Sequence, residues 1–270
     1  MSDDPRWPRA SAWLASGSDQ GSLTVLGVPA FRTSLSPTRA DTTPAAIREA
    51  LRRFSTYSVA HGVDVSGLAV RDLGDVHDPD GPDGEKRVRD ALGGVTSDAV
   101  VALGGDNSIT FSVLSGLAGS GIRDWGLVTL DAHFDLRDGR SNGSPVRRLI
   151  ESGLSGQRVV QVGIADFSNS ASYAARAREL GITVISRREV DVAGIASVFE
   201  RAMAIAGANG CPVHVDLDVD VCDRAVAPAC PASAPGGLSA AELRDVAFLA
   251  GCHGGVRSID VTEIDAEADS

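Results

Sequence analysis

Leu127-Val128-Thr129-Leu130-Asp131-Ala132-His133-Phe134-Asp135 decides how this chain folds: an apolar, β-rich run stops and at once presents Asp-x-His-x-Asp. Such a run reads as a buried parallel strand whose C-terminal end opens into a polar pocket. In extended backbone successive side chains point to opposite sides, so Asp131, His133 and Asp135 share one side and can hold an ion. Alone, the motif also describes a polar strand end whose carboxylates cap a helix. A second stretch, Cys211-Pro212-Val213-His214-Val215-Asp216-Leu217-Asp218-Val219-Asp220, repeats the design. Open α/β sheets place ligand sites outside the carboxyl ends of their strands, so two such endings on neighbouring strands face each other across one crevice.

Charge narrows what that crevice holds. Asp131, Asp135, Asp218 and Asp220 crowded together repel, and burial raises their pKa values, unless cations neutralise them. Two divalent ions match four carboxylates. Carboxylates with few imidazoles and no thiolate suit Mn²⁺ or Mg²⁺ better than Zn²⁺ or Cu. The reading is a two-metal hydrolase centre.

Working outward, eight apolar runs alternate with amphipathic stretches: 23–28, 68–73, 99–103, 125–130, 158–162, 183–185, 212–217 and 256–259. That alternation predicts an α/β fold with a parallel sheet and right-handed crossovers. Thr43-Pro44 starts a helix to Phe54, and Ser239 before Ala240-Ala241-Glu242 resembles a capping box. Residues 75–84, rich in Asp, Pro and Gly, read as a solvated loop. No linker divides the chain, so residues 1–270 are expected to form one domain, with 1–20 a flexible or loosely attached segment.

A net charge of -11 disfavours nucleic acid and anionic membranes as partners, and 43% hydrophobic with 23% charged residues is ordinary for a soluble protein. Residues 1–20 contain no continuous apolar segment, which points to a cytoplasmic protein. Cys211, Cys222, Cys230 and Cys252 form no Cys-x-x-Cys pair and read as reduced thiols.

The chain resembles the ureohydrolase family of arginases, agmatinases and formimidoylglutamases. Leu103-Gly104-Gly105-Asp106-Asn107-Ser108 is similar to its Gly-Gly-Asp-His-Ser segment, Asp131 to Asp135 to its Asp-Ala-His-x-Asp, and Asp218-Val219-Asp220 with Asp223 to its Asp-x-Asp-x-x-Asp. Ser141 to Arg148 resembles an agmatinase segment, and Glu263 falls where the family keeps a substrate-binding Glu. The resemblance implies a three-layer α/β/α arginase-like fold with an eight-stranded parallel sheet, two Mn²⁺ per subunit, and a homo-oligomer, trimer or hexamer. Carried over, Asp131 and Asp218 bridge the ions, His133 and Asp220 serve one, and Asp135 the other together with Asn107, where the family has His. A neutral amide binds more weakly than imidazole, which predicts one labile ion. Asn142 likewise replaces a His and cannot titrate near neutral pH.

The expected reaction is hydrolysis of a C–N bond in a small amidine or guanidine, with Asp135 and Glu263 as catalytic residues and Asn142, Arg137, Arg147 and Glu263 binding substrate. Asp-Ala-His-Phe-Asp-Leu-Arg and the stretch from Val226 to Pro235 look most like formimidoylglutamases, and Arg137, Arg140, Arg147 and Arg148 suit a substrate bearing carboxylates. N-formimidoyl-L-glutamate is therefore the first expectation, yielding glutamate and formamide in histidine degradation. Agmatine or guanidinobutyrate, with Asp166 and Asp223 at an acidic mouth, is the alternative, and a non-catalytic paralogue with an impaired metal site is a second.

Overall fold

The computed structural model describes residue 4 and residues 6–18 and 21–269. The apolar runs become the parallel strands β1 (Leu23–Val28), β4 (Val70–Asp75), β5 (Ala99–Gly104), β6 (Gly126–Leu130), β7 (Val159–Ile164), β8 (Thr183–Ser186), β9 (Val213–Asp218) and β10 (Val256–Thr262). They form one eight-stranded sheet in the order β4-β1-β5-β10-β9-β6-β7-β8. The expected strand boundaries coincide for β1 and differ by at most three residues elsewhere. A small antiparallel hairpin, β2 (Tyr57–Ser58) with β3 (Val63–Asp64), adds to them.

Both sheet faces are covered, which is why the strands are apolar on both sides. α1 (Ala10–Ala15), α2 (Thr43–Ala50), α7 (Arg187–Ala193), α8 (Ile195–Ala206) and α9 (Ala240–Cys252) lie on one face. The other carries α3 (Gly81–Leu92), α4 (Ile109–Ala118), α5 (Pro145–Glu151) and α6 (Ala171–Glu179). The result is the three-layer α/β/α arrangement. Ser239 and Glu242 form a full capping box on α9, as its sequence predicts.

Two segments differ from expectation. Within residues 1–20, α1 is attached rather than loose: Leu14 is buried against Val25, Val70 and Leu103, and Trp13 Nε1 donates to Leu68 O at 2.8 Å. Residues 1–3, 5, 19 and 20 of that segment lie outside the described residues. In the 75–84 stretch the loop ends early, because Asp80 is the N-cap of α3 and Pro82 fits its first turn. Among the described residues no helix is long and apolar enough to cross a membrane.

Candidate metal centre

β5, β10, β9 and β6 are neighbours in the sheet, and their C-terminal ends bring together residues far apart in sequence. Beyond β5, Gly105 passes so near β1 that a Cβ there would sit 2.5 Å from Val28 O, so only glycine lets this turn deliver Asp106 and Asn107. Beyond β6 and β10, Asp135 and Glu263 hold left-handed backbone, with φ of 51° and 70°. Non-glycine residues rarely adopt that conformation, and such strain collects at functional sites.

His133 Nδ1 lies 2.7 Å from Asp220 Oδ2 and 3.5 Å from Asp131 Oδ1. Ligand atoms of these three residues all fall within 4.8 Å of one another, the spacing of one coordination sphere. Asp131 is fully buried, and its Oδ2 has no hydrogen-bond partner among the described residues. Asp220 Oδ1 accepts from Ala132 N at 3.0 Å and Asp218 Oδ1 from Asp220 N at 2.9 Å, which fixes both carboxylates. Asp135, Asp218, Asp220, His133 and Glu263 line one pocket of about 240 Å³.

Burial, then the neighbouring Asp135 and Asp220, push Asp131 well above the usual carboxylate range. Asp218 rises likewise through burial and Asp220. Burial foremost raises Asp135 to about 7 and Glu263 to about 8. Burial alone would lower His133, yet its hydrogen bonds to Asp131 and Asp220 carry it to about 11. Acids that cannot ionise together, one orphaned oxygen and a hard O/N donor set fit divalent cations such as Mn²⁺.

Other expected residues take different places. Asn107 turns its amide nitrogen to Asp135 Oδ2 at 2.7 Å, while its Oδ1 accepts from Thr110 and Thr262 at 2.9 and 3.0 Å. In this arrangement its nitrogen supports Asp135 and its oxygen faces the two threonines. Asn142 Nδ2 and Asn107 N both donate to Glu263 Oε1, at 2.9 and 2.7 Å. Arg137 lines the pocket and has no ion-pair partner among the described residues. Arg147 does not reach it: its guanidinium holds Arg137 O, Gly139 O and Glu151. Arg140 and Arg148 turn away to Glu85. Asp166 lines an adjoining pocket that shares Asp220 with the first, and Asp223 is engaged by Ala225 N and Gly236 N.

The sequence reading missed Asn169 and Tyr173, which line the pocket after β7. Asn169 accepts from Phe134 N at 3.1 Å and donates to Ala132 O at 2.8 Å, which clamps the 131–135 turn. The polar turn Ser168-Asn169-Ser170 at a strand end was the available signal. Cys222 and Cys230 are buried, with thiols pushed by burial to about 11 and about 12, so they are inert near neutral pH.

Comparison with known proteins agrees with this geometry. A family model described as the arginase family matches residues 22–270. The formimidoylglutamase of Halalkalibacterium halodurans is 35% identical over 91% of this chain and 80% of its own. The crystal structure of Bacillus subtilis formimidoylglutamase superposes with a TM-score of 0.91 at 30% identity, covering 99% of this chain and 87% of that one. Trypanosoma cruzi formiminoglutamase with Mn²⁺ superposes with a TM-score of 0.89 at 25% identity, over 97% of this chain and 92% of that one.

Proposed function

This chain belongs to the arginase family of hydrolases, and on that premise we propose that it hydrolyses N-formimidoyl-L-glutamate to L-glutamate and formamide. The observation that carries the reading is the polarity of one pocket. Glu263 lies at its floor, 4% exposed, with Oε1 engaged by two donors and Oε2 left for the substrate's amidinium. Arg137, exposed and unpaired, lies in the same pocket and suits a carboxylate. A formimidoyl-glutamate is cationic at one end and anionic at the other; agmatine is cationic at both.

In this proposal Asp131, His133 and Asp220 would hold one Mn²⁺, and Asp135 and Asp218 would serve a second. When bound, the pair supplies Lewis acidity and a lowered pKa for water. Glu263 orients the planar amidinium by charge-assisted hydrogen bonds. Asp135 takes the proton of the attacking water and passes it to the leaving nitrogen as the bond between that nitrogen and the amidine carbon breaks. Asn142 holds Glu263 and moves no proton. The second ion, with a neutral amide at Asn107 beside its site in place of an imidazole, would be the more labile one. The resemblance that implies this chemistry also implies a homotrimer or hexamer, which sedimentation tests directly.

The manganese-loaded protein should release formamide from N-formimidoyl-L-glutamate and little or no urea from agmatine. Arg137→Gln should raise KM about tenfold or more with kcat largely kept, the mark of a lost substrate-anchoring contact. Faster urea release from agmatine or guanidinobutyrate would overturn the assignment.

A further inference from the structure

A second pocket, of about 470 Å³, opens between α3, α4 and α5 and shares no lining residue with the metal centre. Arg148, Arg140 and Arg89 all direct a guanidinium nitrogen at one atom, Glu85 Oε2, at 2.8, 3.4 and 3.9 Å. Glu85 is the one acid lining this pocket. A single carboxylate accepts several hydrogen bonds but neutralises one positive charge, so two of the three guanidinium charges remain in surplus. In a chain of net charge -11 that surplus is a local feature of this pocket.

One of the donors is also held in advance. Arg148 is 8% exposed, its guanidinium stacks 3.7 Å from the centre of the Phe111 ring, and its Nη1 has no partner among the described residues. Ser115 Oγ, in the same lining, is buried and unpartnered as well. Fixed arginine forks match the planar or tetrahedral oxygens of carboxylates and phosphates, and fixing them beforehand lowers the entropy cost of binding.

We infer that this pocket binds a small oxyanion, a carboxylate or a phosphate ester. Arg140 lies in the 137–144 loop that also carries Arg137 and Asn142 of the metal-centre pocket. An anion on Arg140 therefore steadies that loop from its outer side. The site stands whether or not the substrate assignment holds, because its test reads binding and not turnover.

Calorimetric titration of manganese-loaded Arg137→Gln protein, in which anion binding at the metal-centre pocket is weakened, should show one saturable site. Glutarate and methyl phosphate serve as separate probes; whichever binds identifies the source. Arg89→Gln with Arg140→Gln in that background should weaken binding at least about tenfold, equivalent to about 1.4 kcal/mol. Arg140→Gln alone, at an exposed loop position, repeats the test if the combined variant unfolds. Failure of both probes to bind, or unchanged binding after the arginine substitutions, would overturn the site. Bound probe should slow amide exchange across 137–144, and unchanged exchange there would overturn the coupling to the loop.

Discussion

Two tiers of buried acid lie one above the other in the centre of the sheet. The upper tier, Asp131 and Asp218 with Asp135 and Asp220 beyond them, sits at the strand ends. The lower, Asp216 and Asp260, lies two residues further back on β9 and β10 and is paired by register. Both tiers are buried, and the upper one borders the pocket. The lower one carries its own partners: His214 Nε2 lies 3.0 Å from Asp260 Oδ2, and Ser258 Oγ lies 2.6 Å from His214 Nδ1. Asp216 has no donor on either oxygen, and burial, then Asp260, raises it well above the usual carboxylate range. Raised that far, Asp216 keeps its proton and so avoids an uncompensated buried charge. Acids in one sheet thus find two ways to exist in a dry interior, cations above and a proton with an imidazole below.

Asp131→Asn makes the sharpest break between the tiers. It should lower activity by about 10³-fold or more, since the ions contribute several kcal/mol to the transition state. With metal removed, the same variant should melt higher than the parent, because one member of a repelling cluster is gone. Loss of melting temperature without metal would show that Asp131 is held by something other than cations.

The next largest effect divides the upper tier itself. Asn107→Ala removes the amide donor from Asp135 and should weaken one of two manganese ions by about 10–100-fold, the usual scale for an outer support of a ligand. The ion at Asp131, His133 and Asp220 should be unaffected. Equal weakening of both, in a metal titration, would erase the distinction between a tight and a labile site.

That division also marks where the sequence stopped being readable. The strand ends were legible because an apolar run that stops at acids marks a buried parallel strand opening into a polar site, as β6 does at Asp131, and because β9 alternates apolar residues with acids up to Asp218. Asn107 was legible as a site residue but not in its orientation, which Thr110 and Thr262 decide, one of them 155 residues away. Arg147 differs from Arg137 in no local pattern; only the folded loop shows that its guanidinium serves backbone carbonyls. The helix at Ala10–Ala15 was hidden because its apolar stripe is short, and Leu14 gains meaning only beside Val70.

pH gives a smaller effect of definite sign. Without metal, Asp135 at about 7, Glu263 at about 8 and His133 at about 11 all lie above their ordinary values. The native state then binds more protons than the unfolded chain, so stability is greatest at low pH and falls as pH rises through these values. Metal-free protein should melt several degrees lower at pH 8.5 than at pH 5.5. Excess Mn²⁺ should reverse the trend, because the ions compete with the protons for the same oxygens. A parallel decline with and without manganese would detach the upper tier from metal binding.

The smallest effect belongs to the lower tier. If Asp216 is neutral and donates to Asp260, an amide of the same shape keeps a donor on that side, and Asp216→Asn should change stability by no more than about 1 kcal/mol, the scale of one hydrogen bond. Manganese binding should survive, since Asp218 keeps its bond from Asp220 N. Asp260→Asn is the informative partner. It replaces the carboxylate facing His214 Nε2 by a neutral amide and should cost more than Asp216→Asn, because a fully buried imidazole then faces a weaker acceptor. If Asp216→Asn instead costs several kcal/mol and loosens the metals, Asp216 is ionised and the two tiers form one electrostatic unit that the ions neutralise together.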